Sequence, residues 1–174
     1  MKRYFTYFFL FAAIVLTGCE GALAPMGSSD EVKLDERLLG TWIGVGDNED
    51  DVTVMTISAI NDFEYAITYR EEGEEEDETL SLRAFTSLVG GIQFANITCL
   101  SCEEDTEDEE DWLFFAFELE SNDALVATAI NNDVYNEGLS ELTETDQVRA
   151  YILSHLNDAN FFEEDEGRFI RQAE

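Results

Sequence analysis

The pair Cys99-Leu100-Ser101-Cys102 carries the sharpest local chemistry in this chain. Two thiols so close can form a disulfide, ligate a metal or exchange electrons. Redox exchange needs the thiolate favoured by a helix start or nearby cations, whereas Glu103, Glu104 and Asp105 follow directly and oppose it. Zinc needs more ligands than this pair supplies, and His155 is the only histidine. A disulfide between Cys99 and Cys102, pinning the base of the acidic stretch that follows, therefore ranks above zinc, and zinc above redox catalysis. His155 falls near the apolar stripe of a predicted helix, where a lone histidine is more often packed than catalytic. With no second histidine and no ordered nucleophile motif, a hydrolytic triad has no support. Carboxylate pairs occur by chance among 40 acidic side chains, so none stands out as an acid and base couple. The expectation is a protein that is not an enzyme, with no catalytic residue and no cofactor. Asp133, Tyr135, Glu137, Gly138 and Glu144 match part of a calcium-loop spacing. Tyr135 stands where an oxygen ligand belongs and a strand precedes it, so no defined metal site is expected.

Charge is the second informative property. The chain has 40 acidic and 9 basic side chains, a formal charge of −31. Loss of residues 1–18 would remove Lys2 and Arg3 but no acid, bringing the basic count to seven and the charge to −33. Nucleic acid is excluded as a partner, because phosphate recognition needs the opposite sign. One reading of the acidity is a solvated shell adapted to salty water, where ions screen the repulsion. Such a shell would spread carboxylates evenly, and here they are concentrated. Residues 47–51, 71–78 and 103–111 hold four, seven and eight of them, among them Asp47, Glu49, Asp50, Asp51, Glu74, Glu75, Glu76, Glu107, Asp108 and Glu109.

These runs lie between stretches that read as strands. Phe63, Tyr65, Ile67 and Tyr69 alternate with Glu64, Ala66, Thr68 and Arg70, the period of a sheet with one buried face. Strands are also predicted over 40–45, 52–59, 80–88, 92–99, 112–119 and 124–131, with a last short one at 168–171 that could close the sheet. Trp112, Phe114, Phe115 and Phe117 are expected in the interior. Asn61-Asp62, Gly90-Gly91 and Ser121-Asn122-Asp123 are short turns. They alternate with the three acidic connections. In an up-and-down antiparallel sheet the odd connections emerge at one end, so the carboxylates would form one rim. A helix is predicted from Thr143 or Thr145 to Leu156, capped by a threonine hydroxyl, with Val148, Tyr151, Ile152 and Leu156 on one face. The fold class is mainly β, a small antiparallel up-and-down β-barrel with one C-terminal helix.

At the amino terminus, Lys2 and Arg3 precede an apolar run from Tyr4 to Leu16 that is too short to span a bilayer. Leu16-Thr17-Gly18-Cys19 resembles the lipobox of bacterial lipoproteins. That resemblance implies a signal peptide over 1–18, lipidation of Cys19 and attachment to a membrane of the cell envelope. The alternative is an ordinary cleaved signal with an incidental cysteine. Glu20 follows Cys19 where lipoproteins kept in the inner membrane commonly carry Asp, so the resemblance favours the outer membrane. Residues 19–33 read as the lipidated cysteine and a flexible tether, and 34–174 as one barrel domain.

A short helical turn followed by Gly40-Thr41-Trp42 at the head of the first strand resembles the lipocalins and wider calycin barrels. The resemblance implies that Trp42 closes the barrel floor, with Arg168 or Arg171 stacked over it. It also implies a ligand cavity whose open mouth lies at the acidic end. The second and third lipocalin motifs are absent. The expected role is binding of a small apolar or cationic ligand, and the alternative is an acidic module that captures a basic protein or divalent cations.

Overall fold

A computed structural model describes residues 21–45, 52–72, 79–100 and 111–173. The chain forms β1 (Gly40–Val45), β2 (Val52–Ala59), β3 (Glu64–Glu72), β4 (Thr79–Val89), β5 (Ile92–Cys99), β6 (Leu113–Ser121) and β7 (Ala124–Ala129), followed by β8 (Gly167–Arg171). Each strand pairs antiparallel with its sequence neighbour, and β8 pairs with both β7 and β1. The eight strands therefore close into an up-and-down barrel with no free edge. The short last strand makes the seal, with Trp42 opposite Arg171 and Ala124 opposite Ile170.

The closure order gives the barrel two distinct ends. Connections 60–63, 90–91 and 122–123 leave one end, here the turn pole, with Gly90 and Gly91 at φ 62° and 88°. Connections 46–51, 73–78 and 100–112 join strand ends at the other, here the acidic pole. All ten carboxylates expected to form the rim lie outside the described residues. The strand ends that carry them are described, and they share one pole.

Two apolar clusters sit on opposite sides of the same wall. One fills the barrel and includes Trp42, Met55, Tyr65, Tyr69, Leu82, Ile97, Phe115 and Phe169. The other covers the outer face of β4, β5 and β6, where Phe85, Val89, Phe94 and Phe114 point away from the barrel. Its cover comes from the long return between β7 and β8. That return contains α1 (Asn132–Glu137), a 3-10 turn (Leu139–Glu141) and α2 (Thr145–His155). Val148 and Ile152 of α2 are fully buried, on the face expected for the predicted helix. Its N-cap is Glu144 and no side-chain hydrogen bond caps it, which differs from the expected threonine cap. Tyr135 of α1 stacks on Phe114, and its hydroxyl accepts the Phe114 N–H at 2.7 Å. Phe115 and Phe117 face inward as expected, while Trp112 and Phe114 belong to the outer cluster.

The amino-terminal side of the barrel also differs from expectation. Within the segment read as a flexible tether, Ala22, Ala24 and Met26 are buried on the outer face. Ala22 forms a β-bridge with Trp112, its N–H donating to Trp112 O at 3.0 Å and its carbonyl oxygen accepting the Trp112 N–H at 2.9 Å. The Met26 N–H donates to Asn96 Oδ1 at 2.9 Å. Burial alternates along this extended segment, with Leu23 exposed and Pro25 half-buried between the three buried residues, so one side of the chain packs down as a strap. The strap then descends to the turn pole, where the Leu34 N–H donates to Asp62 O.

Candidate functional site

The inward side chains leave a cavity of about 70 Å³ inside the barrel. It is lined by Leu38 of the 3-10 turn (Glu36–Leu38) and by alternate residues of β2 to β8, and no polar atom faces it. Its position follows from which residues line each strand. Ile57 and Met55 contribute from β2, Tyr65 and Ile67 from β3, Thr86 and Ala84 from β4, and Ala95 and Ile97 from β5. One inward step closer to the acidic pole stand Thr53, Tyr69, Leu82 and Cys99, none of which lines it. The cavity therefore lies toward the turn pole. Those four side chains stand between it and the strand ends that carry the acidic connections.

The turn pole is closed by the 3-10 turn and by Trp42. The Trp42 ring is fully buried, and its Nε1–H donates to Leu38 O at 2.8 Å. The guanidinium of Arg171 lies 4.2 Å from the centre of that ring, in the range for cation–π attraction. Its nitrogens also donate to the carbonyls of Asn122, Leu39 and Arg37. A single side chain thus ties the β6–β7 turn to the residues that precede β1. Gly40 belongs to the same construction. Its φ is +125°, and a Cβ there would stand 2.7 Å from Arg171 Nη1. Of the two arginines the resemblance offered, Arg171 covers the tryptophan, and Arg168 instead pairs with Glu120 on the outer surface at 2.6 Å. Tyr65 holds the 3-10 turn from the other side, its hydroxyl accepting the Asp35 N–H at 2.7 Å. Asp35 itself is held below the usual carboxylate range by its hydrogen bonds to Arg37.

Toward the acidic pole, Tyr69 donates its hydroxyl hydrogen to Glu71 at 2.9 Å. Burial raises the Tyr69 pKa well above its ordinary value, and the Glu71 carboxylate adds to the shift while Thr53 opposes it. A group whose folded pKa is raised stabilises the fold below its unfolded value and loses that contribution as pH climbs past it. The wild-type protein should therefore lose stability from pH 10 upward. Tyr69→Phe should flatten that alkaline limb. Urea unfolding of both proteins across the alkaline range checks this, and parallel slopes would exclude Tyr69 as the source.

The remaining candidates are placed as follows. Cys99 ends β5 with its sulfur 3.9 Å from Ser81 O, and its expected partner Cys102 lies outside the described residues, as does Cys19. His155 stacks on Tyr151 at 4.1 Å, with Nδ1 2.8 Å from Tyr151 O, a packed arrangement. Tyr135 is buried in the outer cluster beside Phe114. Among the described residues no group of three or more His, Cys, Asp or Glu side chains converges to hold a metal. Among the same residues no helix is long and apolar enough to cross a membrane. No family model, curated protein or solved structure matches this chain.

Proposed function

We propose that this chain is a lipid-anchored protein of the bacterial cell envelope, held through Cys19, whose calycin-like barrel binds a small, uncharged, apolar molecule. The apolar cavity above Leu38 carries this reading. Its lining restricts the ligand class. No carboxylate lines it, and moving a cation into such surroundings without a partner costs several kcal/mol or more. Its size restricts the class further. At about 70 Å³ it is smaller than the roughly 150 Å³ apolar cavity known to accept benzene. It is also well below the roughly 300 Å³ at which pockets for drug-sized ligands begin.

Xenon is a suitable probe because it enters dry apolar space without needing a polar contact. Xenon should perturb the methyl resonances of Met55, Ile57 and Leu125 and leave the outer cluster unchanged. Ala84→Leu, which fills the space from one wall, should abolish the response while the barrel stays folded. Unperturbed lining methyls in the wild-type protein would defeat the cavity reading.

The anchor has its own test. Cys19→Ala should move the protein from the membrane pellet to the soluble fraction, and the wild-type amino-terminal peptide should carry acyl mass. A wild-type protein that fractionates as soluble would remove the anchor.

The second reading is an acidic module that captures a basic protein. It is favoured by the attachment of connections 46–51, 73–78 and 100–112 to one pole. Its signature would be an association weakened steeply by salt and unaffected by Ala84→Leu, which separates it from the first.

A further inference from the structure

The strap fixes where the chain leaves the barrel. Ala22 is bonded in both directions to the Trp112 backbone, and Trp112 immediately precedes β6 at its acidic-pole end. Gly21 is pressed against the same place. A Cβ there would fall 2.9 Å from Asp111 Cβ and 3.0 Å from Trp112 N, so no larger residue fits without a shift. Below this point Asn96 and Ser87 grip the chain at Met26 and Gly27, and Arg149 reaches Glu31 at 3.3 Å.

Two residue steps separate Gly21 from Cys19, a span of at most about 7 Å. Strands of this length, tilted as barrel strands are, separate the two poles by about 20 Å. A lipid on Cys19 cannot reach the turn pole unless the strap detaches.

We infer that the protein stands on its membrane with the acidic pole against a zwitterionic lipid surface and the turn pole, with its cavity, facing away. The inference rests on lipidation of Cys19. Two exposed apolar side chains suit it. Leu23 is 36% exposed beside the Ala22–Trp112 bridge, and Leu100 is 59% exposed just beyond the end of β5. Both stand at the pole that would meet lipid. Charge selects the kind of surface. The connections at this pole are dense in carboxylates, so anionic headgroups would repel it over a screening length of about 10 Å at 0.1 M salt. Zwitterionic headgroups would not.

The test uses acylated full-length protein in phosphatidylcholine vesicles, with one fluorophore coupled through an azide-bearing side chain in place of either Thr79 or Asn122. Thr79 begins β4 at the acidic pole, Asn122 lies in the β6–β7 turn, and both are exposed. A quencher carried on the lipids should extinguish the Thr79 fluorophore and leave the Asn122 fluorophore bright. A flexible insertion of about twenty residues after Glu20 should erase the difference, because such a linker spans the barrel. Added phosphatidylglycerol should weaken the Thr79 quenching at low ionic strength, and salt should restore it. Equal quenching at both sites without the insertion, or stronger quenching at Asn122, would overturn the orientation. An unacylated Cys19 in the mass spectrum would instead remove the anchor, and the orientation with it.

Discussion

Trp42→Ala is expected to cost about 3–5 kcal/mol of stability, the range for deleting a fully buried aromatic side chain, and to unfold a large share of the molecules near physiological temperature. The side chain is the keystone of the turn pole in three ways. It is fully buried, its Nε1–H satisfies the Leu38 carbonyl, and its face carries the Arg171 guanidinium. Truncation to alanine opens a void beside the existing cavity and removes the donor to Leu38 O. Trp42→Phe should cost less, because it keeps a ring for Arg171 and loses mainly the hydrogen bond. Urea denaturation ranks the two variants. A loss below about 1 kcal/mol for Trp42→Ala, well under the usual range for a buried aromatic, would show that the floor is held by the strands alone. Arg171→Lys belongs to the same series. Lysine keeps the charge but cannot offer a planar fork to three carbonyls, so the protein should be weakened while its net charge stays the same.

Asn96→Leu should release the strap. Asn96 is completely buried on the outer face, yet its amide is fully engaged. Oδ1 accepts the Met26 N–H, and Nδ2 donates to Ser87 Oγ at 3.0 Å and Phe85 O at 3.3 Å. Leucine shares the branched shape, though it is bulkier, and leaves the Met26 N–H with no acceptor, at a cost of about 1–3 kcal/mol. The larger effect is local. Amide exchange at Ala22 and Met26 should accelerate by orders of magnitude, while exchange in β1 and β2, across the barrel from β5, stays slow. Asn96→Asp should be worse than leucine in global stability, because it keeps the acceptor but places a charge in an apolar layer. If Ala22 and Met26 stay as protected in Asn96→Leu as in the wild type, the hold on the strap comes from the Trp112 bridge and the buried alanines instead.

The parts of the fold that were legible before any coordinates share one property, a single buried face. β3 alternates cleanly from Tyr65 to Tyr69, and the runs at 40–45 and 52–59 coincide with β1 and β2. Turn residues marked the connections, and their alternation with acidic runs fixed the polarity of the closed barrel. What escaped is the outer layer. Trp112-Leu113-Phe114-Phe115 is a continuous apolar run, and such a run signals a strand buried on both faces. Reading those aromatics as interior missed that signal. The strap carried a comparable signal in the continuous apolar run from Ala22 to Met26, masked by the glycines around it. The choice between Arg168 and Arg171 needed the register across the seam, since only the residue opposite Trp42 can cover its ring. The position of the cavity depends on the volumes of side chains drawn from seven strands and the 3-10 turn, and no local pattern encodes that sum.

The double-sided wall of β4, β5 and β6 has a consequence for how the chain finds its pairing. In most half-buried sheets a slip by one residue is punished at once, since it turns the oily side chains toward water. Here a slipped strand would exchange one greasy surface for another, and hydrophobicity would barely object. Alignment has to be policed by features that cannot be shifted. The two left-handed glycines at 90 and 91 permit one hairpin geometry, and Asn96 finds its three partners only when it faces outward beside Ser87. One amide and one tight turn thereby act as the proofreaders of a surface that is otherwise indifferent to its own register.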